Sequence, residues 1–284
     1  MNAETAGAME TRQMSSRETL EKFLEQNKIS LPPILKERLL LLDKPQISEG
    51  EEISPEERPN NFSHTLDVAR TCAVIASMWE KTNELRQYVI KKRELILAAL
   101  LHDIGKTGPS GTDPKTQEIW VKSFSIFNKS KEGDKQSKFP ETPAEEALAV
   151  HLKITLEDAQ RLILAMEEGL GKKIETMRDI YNSHVQNTAD TLLEAGVNPE
   201  IIFIASRHHE ITNHHSYTPL GPGELPNFES TPQNIEALER AARILEIADQ
   251  FQASVTRNGN SDPQKILKRL ETFEPFKEFL DGKE

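Results

Sequence analysis

The sequence predicts an all-α protein: a helical bundle carrying a helical extension at its N-terminal end and a long insertion in its middle. Apolar residues recur at three- and four-residue spacing through most of the chain, the period of an amphipathic helix. No segment shows the sustained period-two alternation of a half-buried strand, and there is no internal repeat of the kind that builds a solenoid. At 284 residues the chain is long enough for one large domain with an appendage.

Residues 1–16 are polar and lack an apolar segment, which predicts a disordered leader and no signal peptide. Residues 17–58 form a helical extension and linker. In the extension Leu20, Phe23 and Leu24 share one face and Ile34, Leu35 and Leu39 another, and Pro32-Pro33 divides two helices. Residues 49–59 are acidic and proline-containing, as a linker would be. The main domain is expected over 59–284. Its first helix, 60–79, turns Leu66, Ala69, Ala73, Val74 and Ala76 inward. A strongly apolar helix follows over 93–103, with Gly105 as its stop. The insertion spans 107–170: residues 107–142 are rich in Gly, Pro, Lys and Ser with an ordered part at 118–127, and 143–168 supplies one or two helices. Residues 172–195 make a helix closed by Gly196, and Pro199 opens another that runs to His209. After a loop at 221–232, residues 234–257 form the longest amphipathic helix, with Leu238, Ala241, Leu245, Ala248 and Phe251 buried. A short helix is expected over 263–280.

Composition narrows the function. The net charge is −11 and no basic run is present, which argues against long nucleic acid as a partner, since phosphate contacts need clustered Lys and Arg. A small phosphorylated substrate stays compatible, because a metal can supply positive charge locally. The longest apolar run, 95–101, is too short for a bilayer, and the lone Cys72 cannot form an intrachain disulfide. A soluble, cytoplasmic protein is expected. The 17–42 helices either form a dimer interface or pack on the core.

The segment Leu100-Leu101-His102-Asp103-Ile104-Gly105-Lys106 carries the sharpest chemical signal. An apolar helix should bury its end, and a buried histidine beside an ionised aspartate is costly unless something pairs with them. A divalent metal would do so, since imidazole and carboxylate are natural ligands. The dipeptide alone is equally compatible with a solvated helix end, where His102 meets the macrodipole. His64 lies near the start of one amphipathic helix, and Asp249 on the apolar face of another, where a carboxylate needs a metal or an arginine such as Arg207 or Arg243. Asp67, one turn after His64, either orients that histidine or is solvated, and His151 lies in a polar stretch.

In this chain order, His64, His102-Asp103 and Asp249 resemble the HD superfamily of metal-dependent phosphohydrolases. The resemblance extends over about residues 60–257 and implies an HD-domain helical bundle. The Ile104-Gly105-Lys106 continuation is similar to its cyclic-dinucleotide phosphodiesterase branches, and His184 with His208-His209-Glu210 matches the further ligands of the HD-GYP group. The resemblance implies divalent metal ions, two of them, with Mn, Fe, Mg, Co and Ni all eligible. One would take His64, His102, Asp103 and Asp249; the other His184, His208 and His209, with Asp103 bridging. It implies a catalytic part for Asp103, and for Lys106 a phosphate oxygen to bind. Arg207, His214 and His215 become candidates for substrate contact, against a surface or structural role.

The chain also departs from that group. Residues 213–219 keep Tyr217 and Pro219 but not the Gly-Tyr-Pro loop; Asn60 stands where some members carry an acidic residue, which speaks against a third metal; Gln252 replaces a second aspartate. The insertion after Lys106 is longer than usual. The expected function is phosphoester hydrolysis, with a nucleotide or cyclic dinucleotide as substrate. An HD-type diiron oxygenase acting on a small metabolite, or a degenerate HD signalling or binding module, would carry a similar sequence.

Overall fold

The computed structural model describes residues 14–43, 47–48, 60–81, 89–127, 139–210, 219–257 and 264. The expectations for residues 1–13 of the leader, the 49–59 linker, His214, His215 and all of the 263–280 helix but Gln264 fall outside them; the end of the leader is corrected, since Ser15 caps α1 and Ser16 begins it. Ten α-helices dominate the described residues: α1 Ser16–Gln26, α2 Pro33–Leu41, α3 Asn61–Lys81, α4 Lys92–Leu101, α5 Pro114–Phe124, α6 Ala144–Leu152, α7 Leu156–Leu170, α8 Met177–Glu194, α9 Pro199–Ala205 and α10 Pro232–Arg257. The expected all-α class holds. One small addition is a pair of two-residue parallel strands, β1 Ile47–Ser48 and β2 Ile126–Phe127, which joins the chain after α2 to the insertion.

Helix α4 is the centre. Every residue from Leu95 to Leu101 is buried, so the helix has no solvated stripe and must be covered on all sides. It packs on α3 and α9, and α10 lies across all three. The extension joins this core: Leu20, Phe23 and Leu24 of α1 and Leu35 and Leu39 of α2 are buried in the same cluster as α3, α4, α9 and α10. A second cluster holds the insertion, built from Trp120, Phe124, Leu148, Ile163 and Met166, and docks on Met177 and Ile180 of α8.

Some boundaries differ from the sequence reading for identifiable reasons. Helix α8 begins at Met177 because the preceding backbone pairs elsewhere: Ala144 N–H donates to Glu175 O (3.0 Å) and Met177 N–H to Thr142 O (3.0 Å). Helix α9 stops at Ala205, short of His209, because the Ala205 carbonyl accepts from the His208 ring rather than from a backbone amide. Val74 is 58% exposed, so it faces away from the core that Leu66, Ala69 and Ala76 enter. Phe251 is only half-buried.

Gly105 is not a left-handed stop. The α4 helix ends earlier, at Leu101, and Gly105 sits in a 3-10 turn, Ile104–Thr107, where α8 comes extremely close. A Cβ there would lie 2.0 Å from His184 O and 2.4 Å from Thr188 N. We expect Gly105→Ala to destabilise the fold by at least ~1–3 kcal/mol, the usual range for overpacking. A urea titration should show the midpoint falling at an unchanged slope.

Candidate metal centre

Five segments of the chain converge on one buried point. His64 comes from the first turns of α3, His102 and Asp103 from the end of α4, His184 from the middle of α8, His208 and His209 from the turn after α9, and Asp249 from α10. His102, Asp103, His184, His208 and Asp249 are all buried.

Asp103 is the hub. Its Oδ2 lies 3.4 Å from His102 Nε2 and 4.0 Å from His64 Nε2, while its Oδ1 lies 3.6 Å from His184 Nε2 and 4.0 Å from His208 Nε2. Asp249 Oδ1 completes the first set, 2.8 Å from His64 Nε2 and 3.8 Å from His102 Nε2. The ligand atoms of His184, His208 and His209 lie within 4.8 Å of one another, as do those of His64, His102 and Asp103. The two sets therefore meet at the two oxygens of one carboxylate.

Backbone carbonyls fix the tautomer of three of these rings. His102 Nδ1 is 2.8 Å from Ala99 O, His184 Nδ1 2.5 Å from Tyr181 O, and His208 Nδ1 2.7 Å from Ala205 O. A carbonyl only accepts, so each Nδ1 carries the proton and each neutral ring turns its Nε2 lone pair inward. The consequence is sharpest between His184 and His208, whose Nε2 atoms stand 3.2 Å apart. Two lone pairs at that distance repel unless a cation lies against both. Two nitrogens each bound at roughly 2.0–2.1 Å to one ion would be separated by a similar distance. His102 Nε2 is buried without a hydrogen-bond partner. The donor set thus fits divalent metal ions.

The electrostatics point the same way. Burial pushes the Asp103 carboxyl up, but Lys106, His102 and His184 outweigh it and hold the group well below the usual carboxylate range. Burial likewise opposes ionisation of Asp249, and its hydrogen bond to His64 together with the charges of His64 and His102 reverses the effect. Burial disfavours charge on His102, yet Asp103 and Asp249 outweigh it and raise its pKa, a sign of how strongly the two carboxylates favour positive charge at this point. Burial and the neighbouring His102 push His208 down to about 4, which keeps that ring neutral and able to ligate.

A family model described as HD domain matches residues 61–254, more than half of the chain. The chain belongs to the HD domain family. No curated protein and no solved structure matches it. The HD pair is His102-Asp103, and the expected ligands His64, His184, His208, His209 and Asp249 all lie with it.

Other residues of this HD domain behave variously. Lys106 Nζ is 2.5 Å from Asp103 Oδ2 and so borders the site. Arg207 is occupied locally: its guanidinium lies 3.6 Å from the Phe203 ring centroid, and its Nε is 3.4 Å from Glu210. Asp67 pairs with Arg70 at 2.8 Å on the surface and does not orient His64. Asn60 caps α3, its Oδ1 accepting from Ser63 N–H at 2.6 Å, and Gln252 donates to Thr71 Oγ1 at 2.8 Å to tie α10 to α3. Both positions that depart from the acidic pattern thus have neutral structural work. His151 lies in the last turn of α6.

Two residues that the sequence did not single out position the HD turn. Thr188 Oγ1 accepts from Gly105 N–H (3.0 Å) and donates to His102 O (2.8 Å), locking α8 to the turn. Arg38, buried in α2, donates to Thr107 Oγ1 (2.9 Å), Gly108 O (3.0 Å) and Pro109 O (3.0 Å). Neither has a signal in the sequence: a helical threonine and an arginine in a charged helix read as surface.

Because Asp103 faces both histidine sets, Asp103→Ala should abolish metal binding at both, whereas His184→Ala should spare the His64–His102–Asp249 set. Elemental analysis after reconstitution checks this. Near-zero metal in the first variant and a reduced but non-zero ratio in the second are expected.

Proposed function

We propose that this HD domain is a metal-dependent phosphohydrolase, a phosphodiesterase acting on a nucleotide or cyclic dinucleotide. The observation that carries the reading is Asp103, whose two oxygens face two histidine sets while Lys106 stands beside it. Ions held there would provide a hydroxide near neutral pH and neutralise phosphoryl oxygens.

The protein's own groups contribute the rest. Asp103 would hold the ions, with His64, His102 and Asp249 as ligands on one side and His184, His208 and His209 on the other. The carbonyls of Ala99, Tyr181 and Ala205 keep three ligand rings in the binding tautomer. Lys106, with its side chain 17% exposed, stands beside Asp103 and would donate to a phosphoryl oxygen, stabilising charge that develops there. The Ile104-Gly105-Lys106 and His208-His209-Glu210 segments favour a diester of the HD-GYP kind. The net charge of −11 suits a small phosphorylated substrate better than a long polyanion.

The decisive experiment reconstitutes the protein separately with Mn, Fe, Mg, Co and Ni and assays nucleotide and cyclic-dinucleotide hydrolysis. Substrate-dependent oxygen uptake without phosphoester cleavage would replace hydrolysis by diiron oxygenation, and an inert loaded protein would make the domain a binding module. Lys106→Ala should retain its ions and lose roughly 10²–10³ in kcat, as when one preorganised donor is removed.

A further inference from the structure

Asn61 is the first residue of α3, three positions before His64. Its side chain is buried, 2% exposed, and its Oδ1 accepts from Lys106 Nζ at 3.3 Å. Lysine can only donate, so the amide atom facing Nζ must be the oxygen. That fixes the orientation of the carboxamide and leaves Nδ2 as the other end. Nδ2 is buried and has no hydrogen-bond partner. A buried amide donor left unmatched costs stability, and such groups are retained where a ligand or water satisfies them.

The place of this donor narrows what could satisfy it. Asn61 is bonded to Lys106, Lys106 lies 2.5 Å from Asp103 Oδ2, and Asp103 joins the two histidine sets. Nδ2 is one amide length from the atom that meets this ammonium group, so an acceptor that reached it would lie at the edge of the metal centre. Neutral acceptors are poor candidates beside Lys106, whereas an anionic oxygen would receive hydrogen bonds from both donors. We propose that Asn61 and Lys106 together form a phosphoryl-oxygen subsite, in which Asn61 Nδ2–H donates to an oxygen of the bound phosphoester and Asn61 Oδ1 holds Lys106 in place. The inference rests on the phosphohydrolase reading and adds a substrate-binding residue to it. The polarity of the subsite follows: both groups donate, so it selects a fully ionised phosphoryl oxygen over a hydroxyl.

Two substitutions separate binding from mere positioning. Asn61→Asp keeps an oxygen for Lys106 but replaces the N–H donor by a second acceptor. Asn61→Ala removes both. The probe is inorganic phosphate titrated calorimetrically into the metal-loaded protein, with metal content measured in parallel. Both variants should keep their ions. Phosphate affinity should fall about tenfold or more in each, the range for losing a hydrogen bond to a charged group, and furthest in Asn61→Asp, where the new carboxylate repels the anion. In the wild-type protein, the Asn61 side-chain amide resonance should move on phosphate addition, a readout that needs no variant.

Wild-type phosphate affinity in Asn61→Asp would overturn the proposal, because the oxygen alone would then suffice. Loss of metal in both variants, or an unmoved Asn61 amide resonance, would overturn it as well. Failure of the underlying reading looks different: a metal-loaded wild-type protein that neither binds phosphate nor cleaves any phosphoester removes the function and the subsite together.

Discussion

A carboxylate buried at the end of an apolar helix is the constraint on which this molecule turns. Asp103 follows Leu95–Leu101, a stretch buried at every position, so the chain cannot deliver it to water. Burial of an unpaired carboxylate would cost several kcal/mol. The surrounding elements are arranged to supply positive charge instead. Lys106 sits one turn on, His102 precedes it, and α3, α8 and the turn after α9 bring His64, His184 and His208 within 4.0 Å of its oxygens. The same burial that makes the carboxylate expensive makes its attraction for a cation strong, because little solvent screens it. Architecture and affinity for metal share one cause.

Helix ends provide the second ingredient. The last carbonyls of a helix have no partner inside it. Here the Ala99 carbonyl, close to the end of α4, accepts from His102, and the Ala205 carbonyl, last in α9, accepts from His208. Each bond satisfies a terminal acceptor and also sets a histidine tautomer. A ligand placed three residues after such a carbonyl is preorganised by the way the helix stops. His184 uses the same i−3 contact within α8, where the ring competes with an intact backbone ladder. That position must be held by other means, and the close approach of Gly105 and the double hydrogen bond of Thr188 hold it.

Much of this was legible in the sequence, and the rest failed for physical reasons. The helical period gave the bundle, and His102-Asp103 and Asp249 stood out because a histidine or carboxylate on an apolar face calls for a cation, whereas His64, His184 and His208-His209 were identifiable only through the resemblance to the HD superfamily. Helix ends were less legible. Whether α9 continues to His209 depends on which donor takes the Ala205 carbonyl, a contest between backbone and imidazole that spacing does not decide. The misreading of Gly105 has a similar origin: a glycine after a helix usually permits a left-handed turn, but this one admits the backbone of a helix more than 70 residues further on. Arg38, Asn61 and Thr188 were invisible because their importance lies in contacts with 107–109, Lys106 and Gly105. The Val74 error is a matter of helix angle, since its neighbours Ala73 and Ala76 lie on the packed side.

The insertion belongs to the same account. Gly108 adopts φ +86°, and a Cβ there would lie 2.4 Å from Trp120 Cδ1, so the chain leaving the HD turn is pressed against the indole of α5. One turn further, Phe124 packs edge-on against His184 with ring centroids 5.8 Å apart. Tyr181, whose carbonyl orients His184, is itself tied to the insertion through its hydroxyl, which donates to Ile126 O at 3.1 Å. The second histidine set is thus held from behind by the insertion, while Arg38 of the extension holds the segment after Lys106 from the other end. Removing the insertion would free the side of Asp103 that faces His184, whereas removing the extension would also uncover the core that α1 and α2 share with α3, α4, α9 and α10. On this physical argument, the insertion braces the His184 side of Asp103, while the extension completes the core beneath the site and, through Arg38, anchors the segment after Lys106.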